Sequence, residues 1–159
     1  MTTENSQRLD CNAHAERSYA AMHRLAATAA ESAKQAGVES ALLELVRIRA
    51  SQINGCVFCI DIHTIDARTA GETEQRIYAL SAWEEAPFFT ERERAALEFT
   101  EAVTLVHDGH IPDDVFQRTQ KVFGDEQLSH LLFVIVAING YNRLAIAQRR
   151  VPGNYKPSA

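Results

Sequence analysis

The stretch Glu44-Leu-Val-Arg-Ile-Arg-Ala-Ser-Gln-Ile-Asn54-Gly55-Cys56-Val-Phe-Cys59-Ile-Asp-Ile-His63 decides how the chain is read. Its apolar residues recur at helical rather than alternating spacing, and Asn54-Gly55 is a strong helix breaker. A helix that ends there and a second that begins at Cys56 make a hairpin. On the second helix, residues three and four apart share a face, which sets Cys56, Cys59 and His63 in one row. Cys56 then occupies a helix N-terminus, where the macrodipole and the free N–H groups favour a thiolate. His63, one turn after Cys59, accepts or passes a proton. If the chain reverses at Asn54-Gly55, counting equal distances along both arms puts Glu44 opposite Thr64 or Ile65, one residue from His63. A carboxylate in the apolar run Leu42-Leu43-Glu44-Leu45-Val46 that faces an imidazole orients it and supports its basicity. Periodicity alone places Glu44 on a solvated outer face instead.

Outward from the hairpin, helical spacing continues almost everywhere and no strand pattern appears, so the fold class is all-α. A first helix is expected from about Ala13 to Gln35, stopped by Gly37, with a narrow stripe of Tyr19, Met22 and Leu25 or Ala26. The hairpin helices run from near Glu39 to Ile53 and from Cys56 to Gly71. Thr73 caps a fourth helix that carries Ile77, Tyr78, Leu80 and Trp83 and ends before Pro87. Thr90 and Glu93 have the spacing of a capping box and open a helix to about Val106, closed by the turn His107-Asp-Gly-His110. Pro112 and Asp113 begin a short helix to Gly124, and Asp125 caps a last one that runs to Ala147. Between Leu131 and Ile138 that helix is apolar on every face, which implies burial all round and, in so small a chain, a subunit interface. The tail from Val151 is irregular.

At 159 residues the chain is one ordinary domain, large enough to bury a core without staples. Its formal net charge of −5 is spread along the sequence without a basic block, which argues against nucleic acid as a partner. The apolar run Leu131–Ile138 falls short of the roughly 20 residues that cross a bilayer. The N-terminus lacks the pattern of a secretory signal, so a cytoplasmic location is expected. Three cysteines, two in a C-x-x-C pair, do not form a secreted disulfide framework; in a reducing compartment such a pair is catalytic or metal-binding. Cys11 is read as a free thiol without a role.

A metal site competes with the redox reading, because Cys56, Cys59, His63 and Glu44 offer four ligands suited to zinc. Three of them on one helix fit a tetrahedral ion poorly, so no metal is expected. The remaining histidines, His14, His23, His107, His110 and His130, read as surface or cap residues. Trp83, Phe88 and Phe89 read as core or interface, and Asn139, Asn142 and Arg143 as structural residues near a pocket mouth.

The stretch quoted above resembles the core of the carboxymuconolactone decarboxylase superfamily, in its AhpD-like alkylhydroperoxidase branch. The segments from Ala67 to Trp83, from Pro87 to Leu97 and Asn139-Gly-Tyr-Asn-Arg-Leu144 resemble the same branch. On that resemblance, residues 1–37 are an N-terminal helical segment and 38–159 the AhpD-like core with its C-terminal helix and tail. The resemblance implies an obligate oligomer, trimer or hexamer, that reduces hydroperoxides or another small oxidant with electrons from an external dithiol and without a bound cofactor. It also implies that Cys59 attacks the peroxide, Cys56 closes the disulfide, and Glu44 and His63 relay protons. Helix position alone favours Cys56 as the more acidic thiol. The best-known members carry a second relay histidine directly before the second cysteine, where this chain has Phe58, which carries no proton. Disulfide exchange, a metal-binding or interaction role, and decarboxylation of a lactone-type substrate remain the alternatives.

Overall fold

A computed structural model describes residues 6–157. Among the described residues there are seven α-helices and one 3-10 turn, and no strand: α1 Cys11–His14, α2 Glu16–Gln35, α3 Ser40–Asn54, α4 Val57–Thr69, α5 Glu74–Ala79 with the 3-10 turn Leu80–Ala82, α6 Glu91–Thr104 and α7 Asp113–Gln148. The long α7 is two helices merged across Gly124, whose φ of 67° and ψ of 173° are not helical. The expected pair of helices meeting at Gly124 is therefore present. The Asp125 side chain accepts from the Gln120 amide, not from the backbone of a first turn.

The first expected helix is also two. Asp10 accepts hydrogen bonds from the backbone of Asn12 and Ala13, which starts a separate short turn, and Ala15 breaks it from α2 with φ −140°. The buried stripe of α2 is Tyr19, Ala29 and Ala33, with Met22 and Ala26 half-buried, while Leu25 lies exposed beside it. The small side chains let α2 lie close on α7. A Cβ at Gly140 of α7 would come within 2.6 Å of the Met22 Cε. Thr73 caps α5, and Thr90 with Glu93 forms the full reciprocal capping box of α6.

Helices α3, α6 and α7 pack around the main core, with α2 laid on α7. Leu42, Leu43 and Val46 of α3 meet Ala96 and Phe99 of α6 and Leu131, Val134 and Ile135 of α7 there. A second cluster gathers Leu45 and Ile48 of α3 with Leu80, Trp83, Phe89 and Leu97. The Trp83 indole N–H donates to Glu101, which also accepts from Arg49, so the buried ring brings its polar edge to a partner. Phe88 is partly exposed.

By length and composition alone α7 is apolar enough to cross a bilayer, a property the eight-residue run did not reveal, yet one side of it is committed to the core. Burial is not all round in the single chain. Leu131, Val134, Ile135, Ala137 and Ile138 are buried, whereas Leu132, Phe133 and Val136 are open, Phe133 to 54%.

The hairpin turns at Gly55, which caps α3 in the left-handed region at φ 68°, ψ 30°. Its N–H donates to the Gln52 carbonyl, and the next N–H, of Cys56, donates to the Ser51 carbonyl, so α3 ends with its last carbonyls satisfied. No atom lies within 4 Å of where a Cβ on Gly55 would sit. The need for glycine is therefore conformational, not steric. Gly55→Ala is expected to lower the unfolding free energy by about 1 kcal/mol without altering the core. Denaturant unfolding under reducing conditions measures this, and an unchanged midpoint would contradict the left-handed turn.

Candidate active site

Five elements build the site: α3, the first two turns of α4, the C-terminal half of α7, the tail that follows it, and α2, which brings Tyr19 and His23 to the pocket. Because Gly55 ends α3, Cys56 becomes the N-cap of α4, beside the free N–H groups and positive dipole end of that helix. Cys59 lies one turn on. The two Sγ atoms are 2.9 Å apart and both thiols are free. Both are buried, Cys56 to 1% exposure and Cys59 to 4%.

The pair shares its protons unequally. The hydrogen bond donated by Cys59, with help from the Cys59 and Phe58 backbone and from Asn142, overcomes burial and pulls the Cys56 thiol down to about 7. The same hydrogen bond, burial and the charge on Cys56 push the Cys59 thiol up. As pH rises through about 7 the dithiol takes on one negative charge, centred on Cys56, with the Cys59 proton bridging toward it.

Glu44 is not on a solvated face. Its Oε2 lies 2.9 Å from His63 Nδ1, and its other oxygen pairs with Arg47. Burial pushes the carboxyl up, but the hydrogen bond with His63 and the charges of Arg47 and His63 outweigh it and hold Glu44 below the usual carboxylate range. An ionised carboxylate only accepts, so His63 Nδ1 carries the hydrogen. That leaves Nε2 as the ring nitrogen turned away from Glu44.

A network of amides locks this hairpin to α7. The Asn54 amide donates to the side-chain oxygens of Asn139, at 2.9 Å, and Asn142, at 2.8 Å; the fully buried Asn142 donates in turn to Ser51. Among the described residues no buried side-chain nitrogen or oxygen lacks a partner. Asn139 and Asn142 are structural, as expected, and Asn142 also acts on both thiols.

Cys59 and His63 open onto a pocket of about 400 Å³ walled by Tyr19, Phe58, Ile62, Tyr141, Leu144 and Tyr155. Cys56 does not reach it. The pocket is closed by residues whose importance the sequence did not signal. His23 of α2, expected at the surface, does lie exposed, but its Nδ1 is 2.8 Å from the Tyr141 hydroxyl and its ring stands edge-on to Tyr19. Arg149 ends α7 in the left-handed region, with the Arg150 N–H returning to the Ala145 carbonyl. That reversal swings Arg150 over the Phe58 ring, 4.4 Å from its centroid, with one N–H donated to the Tyr19 hydroxyl. The irregular tail is fastened across α4 by the Gly153 N–H on Asp61 and the Tyr155 hydroxyl on Asp66. Pro152 after a left-handed cap was the only local hint of this reversal.

The four-ligand zinc set does not converge. Among the described residues the donors that could hold an ion together are Glu44, His63 and Asp66, within 4.8 Å of one another, and neither cysteine is among them. Glu44 and Asp66 already have hydrogen-bonding partners in Arg47, His63 and Tyr155.

The sequence pattern of the carboxymuconolactone decarboxylase family matches residues 19–102. The uncharacterized protein YdfG of Bacillus subtilis (strain 168) is 47% identical over 114 residues, which span 72% of this chain and 78% of that protein. Protein ATU0492 of Agrobacterium tumefaciens, of unknown function but linked by name to antioxidant defence and AhpD, superposes with a TM-score of 0.86 over 94% of this chain and 100% of its own, at 33% identity. An uncharacterized peroxidase-related protein of Ralstonia eutropha JMP134 with the alkylhydroperoxidase AhpD core has the same fold, with a TM-score of 0.78 at 19% identity, over 90% of this chain and 74% of that one.

The unequal proton sharing predicts a titration. Thiolate absorbance of the reduced protein should rise by about one cysteine as pH passes through 7, since Cys56 is the group pulled down, and Cys56→Ser should abolish that step. A first thiolate appearing only near the ordinary cysteine value of 9.0 would contradict it.

Proposed function

Because the chain belongs to the carboxymuconolactone decarboxylase family, in its AhpD-like branch, we propose that it is a thiol-dependent peroxidase that cycles Cys56 and Cys59 between dithiol and disulfide. The observation that carries this reading is the position of Cys59, at the wall of an apolar pocket shared with His63 and 2.9 Å from a second, more acidic thiol. Neighbours of the same fold that are named for antioxidant defence or peroxidase relationship point the same way.

The chemistry follows from the proton arrangement. As a hydroperoxide enters the pocket, the Cys59 proton passes to the Cys56 thiolate 2.9 Å away, and the Cys59 sulfur attacks the outer peroxide oxygen. The O–O bond breaks; the leaving alkoxide takes a proton relayed by His63, which Glu44 orients, and departs as an alcohol. Cys59 is left as a sulfenic acid. Cys56 gives up its proton and attacks the Cys59 sulfur, forming the disulfide and releasing water. An external dithiol then reduces that disulfide by exchange and is itself oxidised to a disulfide. Each turn consumes one hydroperoxide and two electrons.

Phe58 passes no proton, but the Tyr141 hydroxyl, hydrogen-bonded to His23, lines the same pocket and offers a second protic pair there. Burial and the neighbouring Tyr19 and Cys59 push Tyr141 up to about 12, so near neutrality it is a donor. No bound cofactor takes part. A homo-oligomer, trimer or hexamer, suits the exposed Leu132, Phe133 and Val136, and a reducing cytoplasm would keep the dithiol ready. A zinc-binding role is disfavoured by the failure of the cysteines to join Glu44 and His63 in one donor set.

One equivalent of a small organic hydroperoxide should remove two thiols and one peroxide together. His63→Gln should slow that loss by about a hundredfold or more, the scale of a proton relay. A thiol assay run beside a peroxide assay decides it: peroxide that persists while both pair thiols stay free would sink the peroxidase reading.

A further inference from the structure

Six arginines of the described chain are half-buried, and five of them are spent on strong acceptors. Arg47 pairs with Glu44, Arg49 with Glu101, Arg76 with Glu72 and Glu93, Arg92 with Glu39, and Arg94 holds the carbonyls of Glu84, Ala86 and Phe89. Arg150 is the sixth. Its guanidinium gives one N–H to a neutral acceptor, the Tyr19 hydroxyl at 2.6 Å, and lies over the Phe58 ring. A guanidinium has five N–H donors in a planar fork, so among the described residues most of its hydrogen-bonding capacity is unspent.

Arg150 is also the only arginine or lysine among the described residues that line the pocket of Cys59, and no aspartate or glutamate lines it. The other walls are aromatic or aliphatic apart from His23, His63 and the tyrosine hydroxyls. An apolar chamber with one under-used guanidinium at its rim matches a ligand with an apolar body and a planar anionic head. Contact with the Phe58 ring and the Tyr19 hydroxyl restrains the fork, and the left-handed cap at Arg149 sets its approach, so little further ordering is needed to receive a carboxylate.

We infer that Arg150 makes this a carboxylate-binding pocket, selecting small substrates with an apolar body and a carboxylate head. Resting on the peroxide reading above, that class is the organic hydroperoxides that carry a carboxylate. Held by Arg150, such a substrate lies in the chamber that Cys59 and His63 share, and Phe58 is the platform that keeps the guanidinium in place. The residue at the position of the missing relay histidine thereby acquires a role in recognition.

The test separates recognition from redox chemistry by using the full-length Cys56→Ser, Cys59→Ser protein, which lacks the dithiol, in calorimetric titrations with octanoate and with 1-octanol. Octanoate should bind at least about tenfold more tightly than the alcohol, and Arg150→Met should erase that preference while leaving octanol binding in place. Arg150→Gln, which can still reach Tyr19, supplies the same comparison if the methionine variant does not fold. Equal binding of acid and alcohol, or a preference that survives loss of the guanidinium, would overturn the inference. Because the dithiol is absent, neither result depends on whether the native protein reduces peroxides. A native protein that leaves hydroperoxide intact would defeat the functional reading alone.

Discussion

The left-handed turn at Gly55 is the constraint on which the site depends. One residue at φ 68° ends α3, places Cys56 at the start of α4 and folds the two helices back on each other. The dithiol and its Glu44–His63 pair follow from that reversal. Folding back brings Glu44, eleven residues before the turn, to His63, eight after it, with 2.9 Å between their reacting atoms. Ending α3 there also frees Asn54 to reach Asn139 and Asn142, so the turn that makes the thiolate site ties it to α7. The buried amides have a further consequence. With Thr104 of α6 also accepting from Asn139, their partners come from three helices and hold the hairpin in one register against α7, because a shift of either would strand polar atoms in the core.

The two cysteines divide the labour by position. Cys56, at the helix start, carries the charge but is sealed from the pocket; Cys59 faces the pocket but holds the proton. Acidity and access are thus assigned to different sulfurs, and the proposed mechanism uses the short contact between them to move the proton to Cys56 when a substrate arrives at Cys59. Helix position favours Cys56 as the more acidic thiol and family resemblance favours Cys59 as the attacking one, and the proposed cycle accommodates both. In the proposed cycle Cys56 acts first as the internal base and then as the resolving thiol, and Cys59 is the nucleophile.

Much of this was legible in the sequence because it rests on local rules. Asn54-Gly55 announced the turn, i, i+3 and i+4 spacing aligned the cysteines with His63, and Thr90 with Glu93 announced a capping box that the structure contains. Glu44 was legible only through the added assumption of a reversal, since an acid on an otherwise apolar helix reads equally as a solvated residue. The pocket walls were not legible. His23 and Tyr141 belong to different helices and Arg150 to a tail with no periodic pattern, so their meeting depends on how α2 and the tail dock onto α7 and α4, which no local spacing encodes. The apolar run of α7 misled for a related reason. Composition showed an all-round apolar helix, but only packing decides which side the single chain buries, and Phe133 is left outside.

The central claim is that Cys59, not Cys56, meets the oxidant. Peptide mass spectrometry of the Cys56→Ser protein, treated with one equivalent of hydroperoxide in the presence of a sulfenic-acid trap, tests it most directly. With the resolving thiol gone, the account predicts the trapped adduct on Cys59. An adduct confined to Cys11, or a Cys59 that stays unmodified while Cys59→Ser protein accumulates the adduct on Cys56, would contradict it.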